Sequence, residues 1–147
     1  MADTTRIKKE IEPFVRVWLG EELGDTTLTE RAVTLLSGGI YMFDAVSEDR
    51  SIVAAILCNR PKTRTGRENT GGVRKALGDF DRLKQLQGNV SKIMVFTDPE
   101  FCSLIQRRAK RFGTQDIDFK VCQLPPEKQK LLDKILNEAS REQRAAE

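Results

Sequence analysis

Histidine is absent from the 147 residues, and no other absence removes as much chemistry. A Ser-His-Asp triad, a Cys-His pair and a His-ligated zinc are all excluded. Any catalysis must run on carboxylates, on lysine, or on a metal held by carboxylates. Cysteine is scarce: Cys58, Cys102 and Cys122 are odd in number and share no C-x-x-C spacing. Each sits in an apolar run, so reduced, buried thiols are expected. No stretch approaches the roughly 18 uninterrupted apolar residues of a membrane span. Met1 to Glu12 is charged and carries no apolar segment of the signal-peptide kind, so a cytoplasmic protein is expected.

What is present suits one globular domain over residues 1–147, with 39% apolar and 32% charged residues. The net charge of +3 says less than its distribution. Between Asn59 and Lys75 lie Arg60, Lys62, Arg64, Arg67, Arg74 and Lys75, against only Glu68. A second cluster is Arg107, Arg108, Lys110 and Arg111. Such clusters suit phosphate groups, or simply form a solvated charged surface.

Hydrophobic periodicity predicts the elements. Thr4 to Leu23 reads as an amphipathic helix, with Ile11, Phe14, Val15, Trp18 and Leu19 at helical spacing. Pro13 implies a kink, or a start near Glu12, and Gly24 is a stop. Ala32 to Leu36 is a short strand candidate. Ile40 to Ser47 and Ser51 to Cys58 are two strands joined by Glu48-Asp49-Arg50, a β-hairpin. Asn59 to Gly72 reads as a loop and Val73 to Gln87 as a helix. Ile93 to Phe96 has the unbroken apolar character of a buried strand. Asp98-Pro99-Glu100 starts a helix that Gly113 closes. Ile117 to Leu124 alternates as a strand, and a last helix follows Pro125-Pro126, fraying from about residue 140. The order implies an α/β fold, with a mixed sheet covered by helices on both faces.

Period-two alternation groups Asp44 with Met42 and Val46, and Ala55 with Val53 and Leu57. A turn centred near Asp49 sets Asp44 opposite Ala54 or Ala55. Asp44 is then a lone carboxylate in an apolar strand, and such a group needs a partner or a cation.

Tyr41-Met42-Phe43-Asp44-Ala45-Val46-Ser47-Glu48-Asp49, followed by Ile52-Val53-Ala54-Ala55-Ile56-Leu57-Cys58, resembles the core hairpin of the restriction-endonuclease-like, PD-(D/E)xK nucleases. The order of elements is similar over nearly the whole chain. The resemblance implies a restriction-endonuclease-like mixed sheet. It also implies a Mg²⁺ site in which an Asp on one strand and a Glu on the next hold the cation, with a Lys two residues further on. Asp44 matches the first acid, but Ala55 stands at the Glu position and Leu57 at the Lys position. Alanine cannot bind a metal and leucine cannot replace a cation, so Asp44 is expected to be a catalytic remnant and cofactor-free. An active Mg²⁺-dependent nuclease would need relocated groups, for which Lys62, Glu68, Glu10, Glu12 and Glu21 are available. All five are expected to be surface charges, as are Asp79 and Asp81.

The loop after the second strand of the hairpin alternates cations with hydroxyls and ends in Gly71-Gly72 before a helix. Arg60, Lys62, Arg64 and Arg67 are therefore expected to bind nucleic acid through its phosphates. The functional expectation is a catalytically degenerate nuclease-like domain that binds nucleic acid. An active nuclease is the alternative. So is a structural scaffold, a homodimer or a protein-binding module, in which Ala55 and Leu57 turn the old cleft into apolar packing.

Overall fold

The computed structural model describes residues 5–63, 65–113 and 116–146. Five strands form one sheet in chain order: β1 (Leu28–Thr34), β2 (Ile40–Ser47), β3 (Ile52–Leu57), β4 (Ser91–Phe96) and β5 (Ile117–Val121). The first three pair antiparallel, whereas β3, β4 and β5 are parallel. Parallel neighbours need crossovers. Here α2 (Thr70–Lys84) joins β3 to β4, and α3 (Pro99–Ala109) joins β4 to β5. The remaining helices are α1 (Glu12–Glu22) and α4 (Pro126–Ala146). The mixed α/β sheet expected from the sequence is therefore present.

Both faces are covered. On one, Val53, Ala55, Leu57, Met94 and Phe96 pack with Val73 and Phe80 of α2 and Phe101 and Ile105 of α3. On the other, Ala54, Ile56, Cys58, Ile93 and Val95 pack with Val15 and Leu19 of α1 and Leu132 of α4. Burial on both faces explains why β3 and β4 are nearly continuous apolar runs. All three cysteines are free and buried, as expected.

Local chemistry sets the element ends. Ile7–Ile11 winds as a π-helical turn directly before α1, and Pro13 occupies the first turn of α1, where its missing N–H costs nothing. Gly20 lets the chain after α1 return closely, because a Cβ there would sit 2.2 Å from the Thr26 carbonyl oxygen. Asp98 caps α3 by accepting the Phe101 N–H at 2.9 Å. In the β2–β3 turn, Asp49 accepts from the Ser51 N–H, the Ser51 hydroxyl and the Ser47 hydroxyl. Those bonds pull its carboxyl down to about 2.

Several expected boundaries move. β1 begins at Leu28 rather than Ala32, so Glu30 and Arg31 lie within a sheet edge strand. Helix α2 begins at Thr70, ahead of Gly71 and Gly72, because Asn69 caps it by accepting the Gly72 N–H at 3.1 Å. Helix α4 is assigned through Ala146. No helix among the described residues is long and apolar enough to cross a membrane.

Candidate functional site

The site is built on an irregularity in β2. In the β1–β2 ladder Thr29 faces Val46 and Arg31 faces Phe43, so Asp44 and Ala45 together oppose Glu30 alone. This is a β-bulge, and a bulge re-aims the side chains it contains. Phe43 and Val46 consequently both enter the α2/α3 core, while Ala45 enters the α1/α4 core. The paired register of β2 with β3 comprises Ala45↔Ala54 and Val46↔Val53. Beyond it, Asp44 Oδ2 accepts the Ile56 N–H at 2.8 Å, a carboxylate standing in for a ladder carbonyl.

Two more acids meet Asp44 there. One carboxylate oxygen from each of Glu12, Glu30 and Asp44 lies within 4.8 Å of the others. They come from three elements: Glu12 from the start of α1, Glu30 from β1 and Asp44 from β2. Glu12 is only 6% exposed, and its Oε1 accepts no hydrogen bond. The Arg16 guanidinium is 3.8 Å from that oxygen, but it donates instead to the Asp44 main-chain carbonyl at 3.0 Å. Glu30 is more exposed and lies 3.7 Å from Lys8.

Burial, reinforced by the charge of Asp44, pushes the Glu12 carboxyl up to about 7. Burial also raises the Asp44 carboxyl, against the opposing pull of the Ile56 N–H. Three hard oxygen donors in a partly desolvated cluster, one of them without a hydrogen-bond partner, form a set that fits a divalent cation. Clustering adds to the cost of burial, because the Asp44 charge opposes ionisation of Glu12 as desolvation does, and a bound cation would reverse both effects.

Asp44 is therefore not a lone carboxylate. Glu12, expected at the surface, is buried beside it. Ala55 and Leu57 do not line this cluster, because both side chains pack into the α2/α3 core. Toward α1, β3 presents Ala54 and Ile56 instead, followed by Cys58 just past its end. The bulge caused the misplacement, since counting by twos carries Asp44 onto the Val46 side. β3 carries no carboxylate and no cation on either face. Cys58, on the α1 side, is driven up to about 12 by burial and by neighbouring Glu12.

Asp79 also departs from expectation, being only 2% exposed. It accepts from the Tyr41 hydroxyl at 2.9 Å and from Arg82 at 3.2 Å, and Arg82 lies over the Tyr41 ring. Asp81 is exposed as expected, and so are Glu10 and Glu21. Glu30 was missed in sequence because the segment Gly24 to Glu30 reads as a turn.

The described residues of the basic segment after β3 pair with one another across a turn. Lys62 and Glu68 form a β-bridge, and Thr63 N–H donates to the Arg67 carbonyl. The Arg60 guanidinium is committed to Asn137 of α4 at 2.9 Å. Glu68 pairs with Arg108 of α3. Lys62 and Arg67 are exposed, whereas Arg64 lies outside the described residues. The start of α2 already has its Asn69 cap. Lys62 and Arg107 line an open groove of about 520 Å³ between this hairpin and α3. No protein-family model matches the chain, and no curated protein or solved structure matches it.

Proposed function

We propose that this chain is a divalent-cation-dependent phosphodiesterase of restriction-endonuclease-like architecture, with Glu12, Glu30 and Asp44 as the cation's ligands. The observation that carries the reading is the buried Glu12 Oε1, which has no hydrogen-bond partner and belongs to a cluster with the other two acids. In this reading the second strand acid of the nuclease pattern is replaced by acids from α1 and β1. A bound cation would supply charge neutralisation and a more acidic water. The chain's own residues hold the site in place. Asp44 is fixed by the Ile56 N–H, Arg16 ties α1 to the bulge through the Asp44 carbonyl, and Lys8 restrains Glu30. Hydrolysis would form a bond from the water oxygen to phosphorus and break one ester P–O bond. The departing oxygen takes a proton, leaving an alcohol and a phosphate monoester.

The test is calorimetric titration with Mn²⁺ and Mg²⁺, together with cleavage of labelled single- and double-stranded nucleic acid. Asp44→Asn and Glu12→Gln serve as controls. Metal binding and cleavage lost in both variants are expected. Absence of binding at millimolar cation would refute the site.

A second reading is a silent domain that only binds nucleic acid, favoured by the uncharged β3. Its cations would be Lys62 and Arg67. Salt-sensitive binding of a labelled duplex without any cleavage would select it.

A further inference from the structure

We infer that the bare face of β1 and β2 beside the acids is a platform for nucleobases, which makes an unpaired nucleic-acid strand the substrate of this site. The inference rests on the phosphodiesterase reading above and names its substrate class. Along β2, Tyr41 and Phe43 turn into the α2/α3 core, so Ile40 and Met42 stand on the opposite face, the one that α1 covers. Asp44 belongs to that face as well, since its carboxylate meets Glu12 of α1. Along β1, Leu28 packs in the α1/α4 core and Val33 against the other, which puts Glu30, Ala32 and Thr34 on the α1 face. The register sets Met42 opposite Ala32 and Ile40 opposite Thr34. Acids and aliphatic side chains therefore share one continuous surface, with Met42 roughly 7 Å and Ile40 roughly 13 Å along β2 from Asp44.

Cover by α1 ends at the acids. Leu28 and Ala45 are buried, whereas Met42 is 51% exposed and Ile40 73%. From the acids to the β1–β2 turn this face carries Glu30, Ala32, Thr34, Ile40, Met42 and Asp44, with no cation among them. It therefore offers phosphate groups nothing to bind. When a phosphodiester is brought to the cation held by the acids, the part that lies over Met42 and Ile40 is the uncharged part of a nucleotide, the flat face of its base. A duplex keeps those faces stacked inside and offers only its backbone and base edges. A strand with unpaired bases exposes them, and packing of base faces on side chains gives single-strand sites their sequence-tolerant affinity. Aliphatic side chains suit the task, since Ile and Met are among the wedges that pack between base steps.

Binding and cleavage test it separately. By fluorescence anisotropy at low salt, the wild type is expected to bind a labelled single strand about tenfold more tightly than the same strand with abasic sites, or than its duplex. DNA and RNA versions of the strand separate the two sources of such bases. Ile40→Thr combined with Met42→Gln keeps side-chain size at two exposed positions and is expected to erase the preference, while Val121→Thr on β5 keeps it. In cleavage assays the double variant should raise KM for the single strand about tenfold at unchanged kcat and Mn²⁺ affinity, because the platform holds ground state and transition state alike. No binding of the single strand, equal affinity for base-bearing and abasic strands, or a preference that survives in the double variant overturns the inference. So does a concentration-dependent dimer in sedimentation that the double variant dissolves, because a second copy then occupies the face. Base preference without cleavage leaves the platform standing and sinks the hydrolytic reading; cleavage without base preference does the reverse.

Discussion

Replacing Glu12 by Gln tests the most unusual feature of the structure with one change of charge and almost none of shape. The Glu12 carboxyl rises from 4.5 to about 7 on folding, with burial the first cause and the Asp44 charge the second. The folded protein therefore holds a proton between those two values that the unfolded chain has released. Stability contributed by this group is complete below pH 4.5 and is lost as pH rises through about 7. At about 1.4 kcal/mol per pH unit of displacement, the loss attributable to Glu12 is about 3 kcal/mol. Part of it belongs to the Glu12–Asp44 pair rather than to either residue alone.

Urea unfolding at pH 5 and pH 8 measures this loss, with fluorescence of Trp18, which lies on α1 and packs against the core, as the probe. The wild-type protein is expected to lose about 2.5 kcal/mol more than Glu12→Gln between the two conditions, since a small part of the loss is already present at pH 5. Asp79 is present in both proteins and cancels to first order, whereas Asp44 is coupled to Glu12 and contributes to the difference. Saturating Mn²⁺ at pH 8 should stabilise the wild type and leave the variant nearly unchanged, because a ligand of the folded state stabilises in proportion to its occupancy. Parallel pH profiles for the two proteins would refute the reasoning, whatever the metal does.

Three further changes follow from single contacts. Gly20→Ala gains helix propensity but drives a Cβ to 2.2 Å from the Thr26 carbonyl, so overpacking should win and destabilise by about 1–3 kcal/mol in urea titrations. Tyr41→Phe removes a 2.9 Å donor from buried Asp79 and should cost about 1–3 kcal/mol, visible as a lowered thermal midpoint at pH 7. If the basic hairpin contacts phosphate, Lys62→Ala and Arg67→Ala should each reduce the slope of log affinity against log salt by about 1, measured by fluorescence anisotropy. An unchanged slope in both removes the hairpin from the interface.

The parts of the fold that were legible in sequence are those where one physical rule acts alone. Strands β2 and β3 show as apolar segments either side of a polar turn, and Asp98-Pro99 marks the start of α3 by capping chemistry. Strand β1 was obscured because its interior carries Glu30 and Arg31, charges an edge strand tolerates and a central one does not. The start of α2 was obscured because Gly71 and Gly72 are poor helix formers, and the Asn69 cap overrides them. Asp44 stood out as an acid in an apolar run, but its neighbours could not be read by counting twos across a bulge.

Glu12 carried a signal that a general rule concealed. Residues 12, 15 and 19 fall on one helical face, and Val15 and Leu19 are fully buried. The preference of glutamate for water argued against taking that placement literally. Convergence of the three acids had no local signature at all, because they lie on three elements spread over 33 positions of chain from Glu12 to Asp44. Folding alone gives no reason to keep an ionisable group at position 12, where glutamine would fill similar space without the desolvation cost of a charge. Sequences depart from such local rules mainly where something other than stability is selected. Glu12 Oε1 is buried without a hydrogen-bond partner, and in the reading proposed above a cation would supply the missing contact.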